Sequence, residues 1–154
     1  MGDAEFLVHA VERLQVLGQA RPVVYGSELH AWSAERGQQR VSESGGTANV
    51  EVGDFFKRQD SDTFDAVIGN PPYIRFQDFT GEQRATARAA ALGGGVALSG
   101  LASAWAAFTV QAAVKLSLGG RLGFVLPAEL LSANYAAPVR KFKSAQSLTC
   151  TAIR

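Results

Sequence analysis

Apolar positions recur at helical spacing from residue 4 to about residue 17. Phe6, Ala10, Leu14 and Leu17 fall on one face, Glu12, Arg13 and Gln15 lie between them, and Gly18 supplies a stop. The pattern then shortens. Pro22 to Tyr25 is a β-rich run ended by Gly26, residues 30–39 read as a second helix, and Ser44-Gly45-Gly46 marks a loop. Ala48 to Val52 is the next strand, closing at Gly53-Asp54. Phe64 to Ile68 is almost continuously apolar, as expected of a strand buried on both faces. Asn70-Pro71-Pro72-Tyr73 ends it, because two adjacent prolines cannot donate to a sheet ladder.

A helix rich in alanine and arginine follows the Thr80-Gly81-Glu82 turn, runs to about Leu92 and breaks at Gly93-Gly94-Gly95. Ala102 to Leu118 predicts a longer helix, with Trp105, Phe108, Ala112 and Leu116 on or near one face and Gly119-Gly120 at its end. Arg121 to Leu126 predicts a strand stopped by Pro127. Glu129 to Phe142 predicts a helix with a break at Pro138. This alternation places the chain in the α/β class, as an open sheet of mainly parallel strands with helices on both faces. Such a domain normally starts with a strand, whereas this pattern starts with a helix.

With 154 residues, 47% of them apolar and 19% charged, the chain can build a core and does not have the composition of a disordered one. No apolar run approaches the roughly 20 residues of a bilayer span. Met1 to Ala10 carries Asp3 and Glu5 and lacks the basic start of a signal peptide, so a cytoplasmic location is expected. The single cysteine, Cys150, excludes an internal disulfide and a cysteine-only zinc site. His9 and His30 are not spaced as a metal pair, and no metal site is expected. A net charge of +1 argues against the whole chain acting as a basic clamp on nucleic acid. It leaves DNA open as a substrate, since another domain can supply the phosphate contacts. Lys57-Arg58 and the set Arg140, Lys141 and Lys143 read as solvated surface. Arg75, Arg84 and Arg88 read either as phosphate contacts or as a solvated helix face.

The chemistry is concentrated in Asp65-Ala66-Val67-Ile68-Gly69-Asn70-Pro71-Pro72-Tyr73. Ligands of open α/β sheets bind beyond the carboxyl ends of the strands, and Asn70 sits at such an end. For an exocyclic amine to attack an electrophilic methyl group, its N–H bonds must point at acceptors, so that its lone pair leaves conjugation. Its ring must also be held still. The Asn70 side-chain oxygen and the Pro71 carbonyl can accept, Pro72 stiffens the turn, and Tyr73 offers a stacking face. Neither a covalent enzyme intermediate nor a metal is required. The ordinary reading of the same residues is a rigid turn after a strand.

The run FDAVIGNPPYIRFQDF, Phe64 to Phe79, resembles motif IV of the N6-adenine DNA methyltransferases of restriction-modification systems. The stretch from Gly119 to Leu131 is similar to the strand and turn that follow in that family. The resemblance spans about residues 2–142. It implies a Rossmann-like S-adenosylmethionine-dependent methyltransferase fold, a flipped adenine on DNA as substrate, and a target-recognition domain or subunit outside this chain. It also implies that Glu28 holds the cofactor's ribose hydroxyls and that Asp54 accepts from its adenine amine. Their ordinary readings are an exposed glutamate opening a helix and a turn or N-cap aspartate. Gly2 and Asp3 resemble the tail of motif I, with Ala4 where a second glycine is usual. The resemblance therefore implies a catalytic domain over 1–142 lacking its first, central strand, with 143–154 as a tail foreign to the fold. Two alternatives stay open: methylation of a protein glutamine amide, which presents the same planar nitrogen, and a non-catalytic remnant.

Overall fold

The structure, a computed structural model, describes residues 4–58 and 62–145, the side chains of 143–145 excepted. It divides into two compact units, Met1–Arg58 and Gln59–Arg154.

In the first unit, helix α1 (Glu5–Val16) leads to strand β1 (Val23–Glu28), helix α2 (Ala31–Glu43) and strand β2 (Thr47–Val52), with a short 3-10 turn at Phe55–Lys57. β1 and β2 pair in parallel, from Val23 opposite Thr47 to Glu28 opposite Val52. The core is Val11, Val24, Val41 and Ala48, with Leu7, Val8, Ala10, Leu14 and Val50 packed around it. Burying each of the three valines is worth about 1.5–3 kcal/mol. The phase of α1 differs from the sequence expectation, since Phe6 is 40% exposed and Leu17 63% exposed. Leu7, Val11 and Leu14 also have helical spacing, and this stripe carries three branched aliphatic side chains to the strands. An Arg40 to Glu5 ion pair of 2.6 Å adds an exposed link between α2 and α1.

In the second unit, strand β3 (Phe64–Gly69) is followed by helices α3 (Gly81–Gly93) and α4 (Ala104–Val114), then by strand β4 (Leu116–Phe124). Helix α5 (Glu129–Ser132), a 3-10 turn (Asn134–Ala136) and helix α6 (Ala137–Ala145) close it. α4 is apolar all round and is the centre of this unit, with Trp105, Val110 and Ala112 buried almost completely. Ala87 and Ala91 of α3 are also buried. Gly94, just past α3, lies so close to α4 that a Cβ there would stand 2.9 Å from Val114 and 3.0 Å from Val110.

β3 and β4 are parallel. Their register breaks between Phe64 opposite Leu116 and Ala66 opposite Arg121, so β4 advances five residues while β3 advances two. The extra residues include Gly119 at φ +81 and Gly120, where a Cβ would stand 2.9 Å from the Ser117 carbonyl and 3.0 Å from that of Phe64. The expected helix to Leu118 therefore ends at Val114. Leu116 already belongs to the strand, and the glycine pair forms a bulge inside β4.

Three other expectations change. The Glu129–Phe142 helix divides near Ala133, and Pro138 sits in the first turn of α6, where its missing N–H costs nothing. β3 is not buried on both faces: none of its residues is fully buried, and Ile68 is 41% exposed. Among the described residues the strands form two separate parallel pairs, β1–β2 and β3–β4, where a single open sheet was expected. Each strand has one ladder partner, which explains the exposure of β3.

Candidate active site

Each parallel pair presents polar groups at its carboxyl end. In the second unit, Val125 donates its amide to the Gly69 carbonyl at 3.0 Å, extending the pairing one step beyond the strands. The chain then leaves β3 through Asn70, which is exposed, Pro71, which is buried, and Pro72 and Tyr73, which are exposed. The buried proline seats the turn, and its neighbours face outward. The ring of Tyr73 is 47% exposed, while its hydroxyl donates to the Val125 carbonyl at 3.0 Å. The next residue is held as well, because the Ile74 carbonyl accepts from the Ala104 amide at 3.0 Å, in the first turn of α4.

Both ends of the Tyr73-Ile74 step are thus tied to elements far along the chain. Phe79, buried, and hydrogen bonds from Asp78 and Phe79 to the Arg75 carbonyl close the loop before α3. Two open concavities of this unit, one along Ala137, Pro138, Arg140 and Lys141 and one beside Arg88 and Leu98, are lined by other residues.

In the first unit, Glu28 and Asp54 come to the same end of the β1–β2 pair. β1 runs on past Tyr25, where the sequence pattern ended it, so Glu28 is the last residue of the strand. It is buried, its Oε1 accepts from the His30 amide at 3.2 Å, and its carbonyl accepts from the Gly53 amide at 2.8 Å. Asp54 follows β2 and caps the 3-10 turn, accepting from the Phe56 amide at 2.9 Å, as its ordinary reading predicts. A carboxylate carries two oxygens with about four acceptor positions. A diol and an aromatic amine are donors that such a pair suits. Gly2 and Asp3 lie outside the described residues, whereas Ala4 is buried and takes the left-handed conformation at φ 59.

Arg88 is exposed on α3 and Arg84 partly so, and both also have a local structural role. Arg84 donates to the Gly100 carbonyl and Arg88 to the Leu98 carbonyl at 3.1 Å, so both clamp the segment between α3 and α4. A second cluster was not legible in sequence. Tyr135 donates its hydroxyl to the Glu129 carboxylate, and its ring lies against Trp105 at 6.1 Å between centroids. Its hydroxyl is held above the ordinary tyrosine range, first by burial and then by Glu129, with Ser103 and Trp105 opposing. Among the described residues no three histidine, cysteine or acidic side chains gather as a metal site, and no helix is long and apolar enough to cross a membrane.

Residues 25–152 match the family model of the Eco57I restriction-modification methylases. The match takes in most of the chain and runs through both units. This chain belongs to the Eco57I restriction-modification methylase family. No individual curated protein matches it. Membership makes methylation in restriction-modification the frame for this chain, with DNA as the substrate that such systems modify.

Proposed function

We propose that this chain is the catalytic portion of an S-adenosylmethionine-dependent methyltransferase acting on the N6 amine of adenine in DNA, within a Rossmann-like fold. The observation that carries the reading is the Asn70–Tyr73 turn, seated by buried Pro71 at the carboxyl end of β3 with Asn70 and the Tyr73 ring exposed. A planar base extruded from the duplex stacks on Tyr73. Its amine donates one N–H to the Asn70 side-chain oxygen and the other to the Pro71 carbonyl. These two acceptors draw the nitrogen toward tetrahedral geometry and free its lone pair. They also favour the positive charge that develops on nitrogen during transfer, before a proton leaves it. Because the Tyr73 hydroxyl is bonded to Val125, the ring is oriented before the base arrives, which lowers the ordering cost of stacking.

S-adenosylmethionine supplies the electrophilic sulfonium methyl when bound. Glu28 and Asp54 suit its adenosine end, Glu28 as acceptor from the ribose diol and Asp54 as acceptor from the adenine amine. The reading also places a target-recognition domain or subunit outside these residues and the enzyme in the cytoplasm.

The test is transfer of labelled methyl to adenine-containing DNA, with cofactor binding measured in parallel by calorimetry. Asn70→Ala is expected to abolish transfer and leave cofactor affinity within about threefold, since it removes one acceptor from the amine and nothing from the β1–β2 end. Label arriving on glutamine of a protein acceptor and not on DNA transfers the assignment to amide methylation. Loss of transfer and cofactor binding together removes Asn70 from its role as acceptor for the amine.

A further inference from the structure

Tyr73 and Ile74 are held from two sides, by the exit of β4 through Val125 and by the first turn of α4 through Ala104. Those two supports belong to different elements, so the turn keeps its shape only if they stay in place relative to each other. Ser103 precedes α4, and Trp105 stands one residue past the Ala104 amide that holds Ile74. Glu129 opens α5, four residues beyond Val125, where the Leu130 amide closes the connecting turn onto the Pro127 carbonyl at 3.0 Å. One side chain bridges the two: the ring of Tyr135 lies on Trp105 and its hydroxyl donates to Glu129. The backbone leading to Tyr135 is held as well, because Arg140 donates to the Leu130 carbonyl at 3.0 Å and the Ala133 carbonyl at 2.9 Å on either side of the α5 exit.

We propose that Tyr135 is a positioning residue for the Asn70–Tyr73 turn, joining the start of α5 to the first turn of α4 so that both supports of the turn are held as one. The inference rests on the methyl transfer proposed above for its functional consequence, and on the geometry alone for the linkage. Tyr135 touches neither base nor cofactor in this scheme. Its hydroxyl acts through Glu129, and its ring acts through Trp105.

The experiment is amide hydrogen exchange by NMR on the full chain, native against Tyr135→Phe, with methyl transfer measured on the same samples. Tyr135→Phe keeps the ring and removes the hydroxyl. Exchange at the Ala104 and Val125 amides is expected to rise roughly tenfold, with the Val24 and Val41 amides of the first unit unchanged. Glu129→Ala is expected to reproduce the effect, and Glu129→Gln, which keeps an acceptor, to return most of the protection. Where native chain transfers methyl, Tyr135→Phe lowers kcat severalfold and leaves KM for S-adenosylmethionine unchanged. Unchanged exchange at Ala104 and Val125 overturns the linkage, and raised exchange with unchanged kcat overturns its role in positioning. If native chain transfers no methyl, the earlier assignment fails by itself, and the exchange measurement alone decides the linkage.

Discussion

The hydroxyl of Tyr73 donates to the backbone carbonyl of Val125 at 3.0 Å, joining residues 52 positions apart. Val125 directly follows the end of β4, so the aromatic ring of the candidate site takes its orientation from the neighbouring strand. The bond and the ring face can be separated by substitution. Tyr73→Phe keeps the face and loses the bond, which at a partly exposed position costs about 0.5–1 kcal/mol. Methyl transfer is expected to fall less than tenfold. Tyr73→Ala also removes the stack, worth about 1–3 kcal/mol per base, and is expected to lose at least a further tenfold. Single-turnover rates on one DNA substrate compare the two, and equal losses would show that the ring face contributes nothing.

Glycines at two positions are expected to respond in opposite directions. At Gly120 a Cβ meets the backbone carbonyls of Ser117 and Phe64 at 2.9 and 3.0 Å, and backbone at a bulge has little room to yield. Gly120→Ala is expected to destabilise by about 1–3 kcal/mol. Gly93, the last residue of α3, has open space around its Cβ position and no positive φ. Gly93→Ala is expected to stabilise by up to about 1 kcal/mol through the helix preference of alanine. Urea unfolding of both variants checks the pair.

These glycines also show where sequence reasoning stops. The exit of β3 was legible because proline chemistry is local: Pro71 and Pro72 end a ladder whatever surrounds them. The start of β4 was not, because Gly119-Gly120 reads equally as a helix stop or a bulge. The carbonyl of Phe64 beneath Gly120 decides between the two, and it lies far away in sequence. The phase of α1 was missed for a related reason. Phe6-Ala10-Leu14-Leu17 and Leu7-Val11-Leu14 both have helical spacing, and the positions of Val24 and Val41 select the second. The Tyr135–Trp105–Glu129 cluster carries no local signal, since its members lie on three elements. Asn70 and Tyr73 were singled out by residue type at a strand end, and Glu28 and Asp54 by the family resemblance; all four lie at or just past strand ends, a placement that survives errors of one or two residues in the strands themselves.

Substitutions at Arg88 and Arg75 are expected to separate stability from the proposed binding to DNA. Arg88 donates to the Leu98 carbonyl, and its loss frees the segment between α3 and α4. Arg88→Ala is expected to lower stability by about 1 kcal/mol. Arg75 is exposed in the loop after the Asn70–Tyr73 turn. If a phosphate lies beside that loop, Arg75→Ala leaves stability within about 0.5 kcal/mol and reduces the salt dependence of DNA binding by roughly one counterion. A salt slope identical to that of the native chain would remove Arg75 from the interface.

On α1, His9 bonds Glu12 at 2.8 Å and lies 3.7 Å from Glu5. The Glu12 hydrogen bond and charge raise its pKa above the ordinary 6.5, with a smaller contribution from Glu5. A histidine raised on folding contributes stability that is fully present below its unfolded pKa and is lost as pH rises through the folded one. The window therefore opens near 6.5 and extends upward. Glu5 runs the other way, because Arg40 holds its carboxyl below the ordinary 4.5. Its contribution is present above that value and is lost as pH falls through the folded pKa. NMR titration is expected to place the His9 midpoint above 6.5 and to return it toward that value in Glu12→Gln.

In the role proposed for it, Glu28 would meet different demands from folding and from cofactor binding. Its Oε1 accepts from the His30 amide, a bond that an amide oxygen can also make. A ribose diol, by contrast, is held more strongly by a carboxylate than by a neutral amide. Glu28→Gln is therefore expected to keep stability within about 1 kcal/mol and to weaken S-adenosylmethionine binding roughly 10–100-fold, the range for losing hydrogen bonds to a charged acceptor. Glu28→Ala removes the acceptor altogether from a buried strand end and is expected to lose about 1–3 kcal/mol of stability as well. Calorimetric titration, paired with urea unfolding of the same two variants, separates these effects. A glutamine variant that binds the cofactor as tightly as the native chain would remove Glu28 from the proposed role, and the diol would need another acceptor.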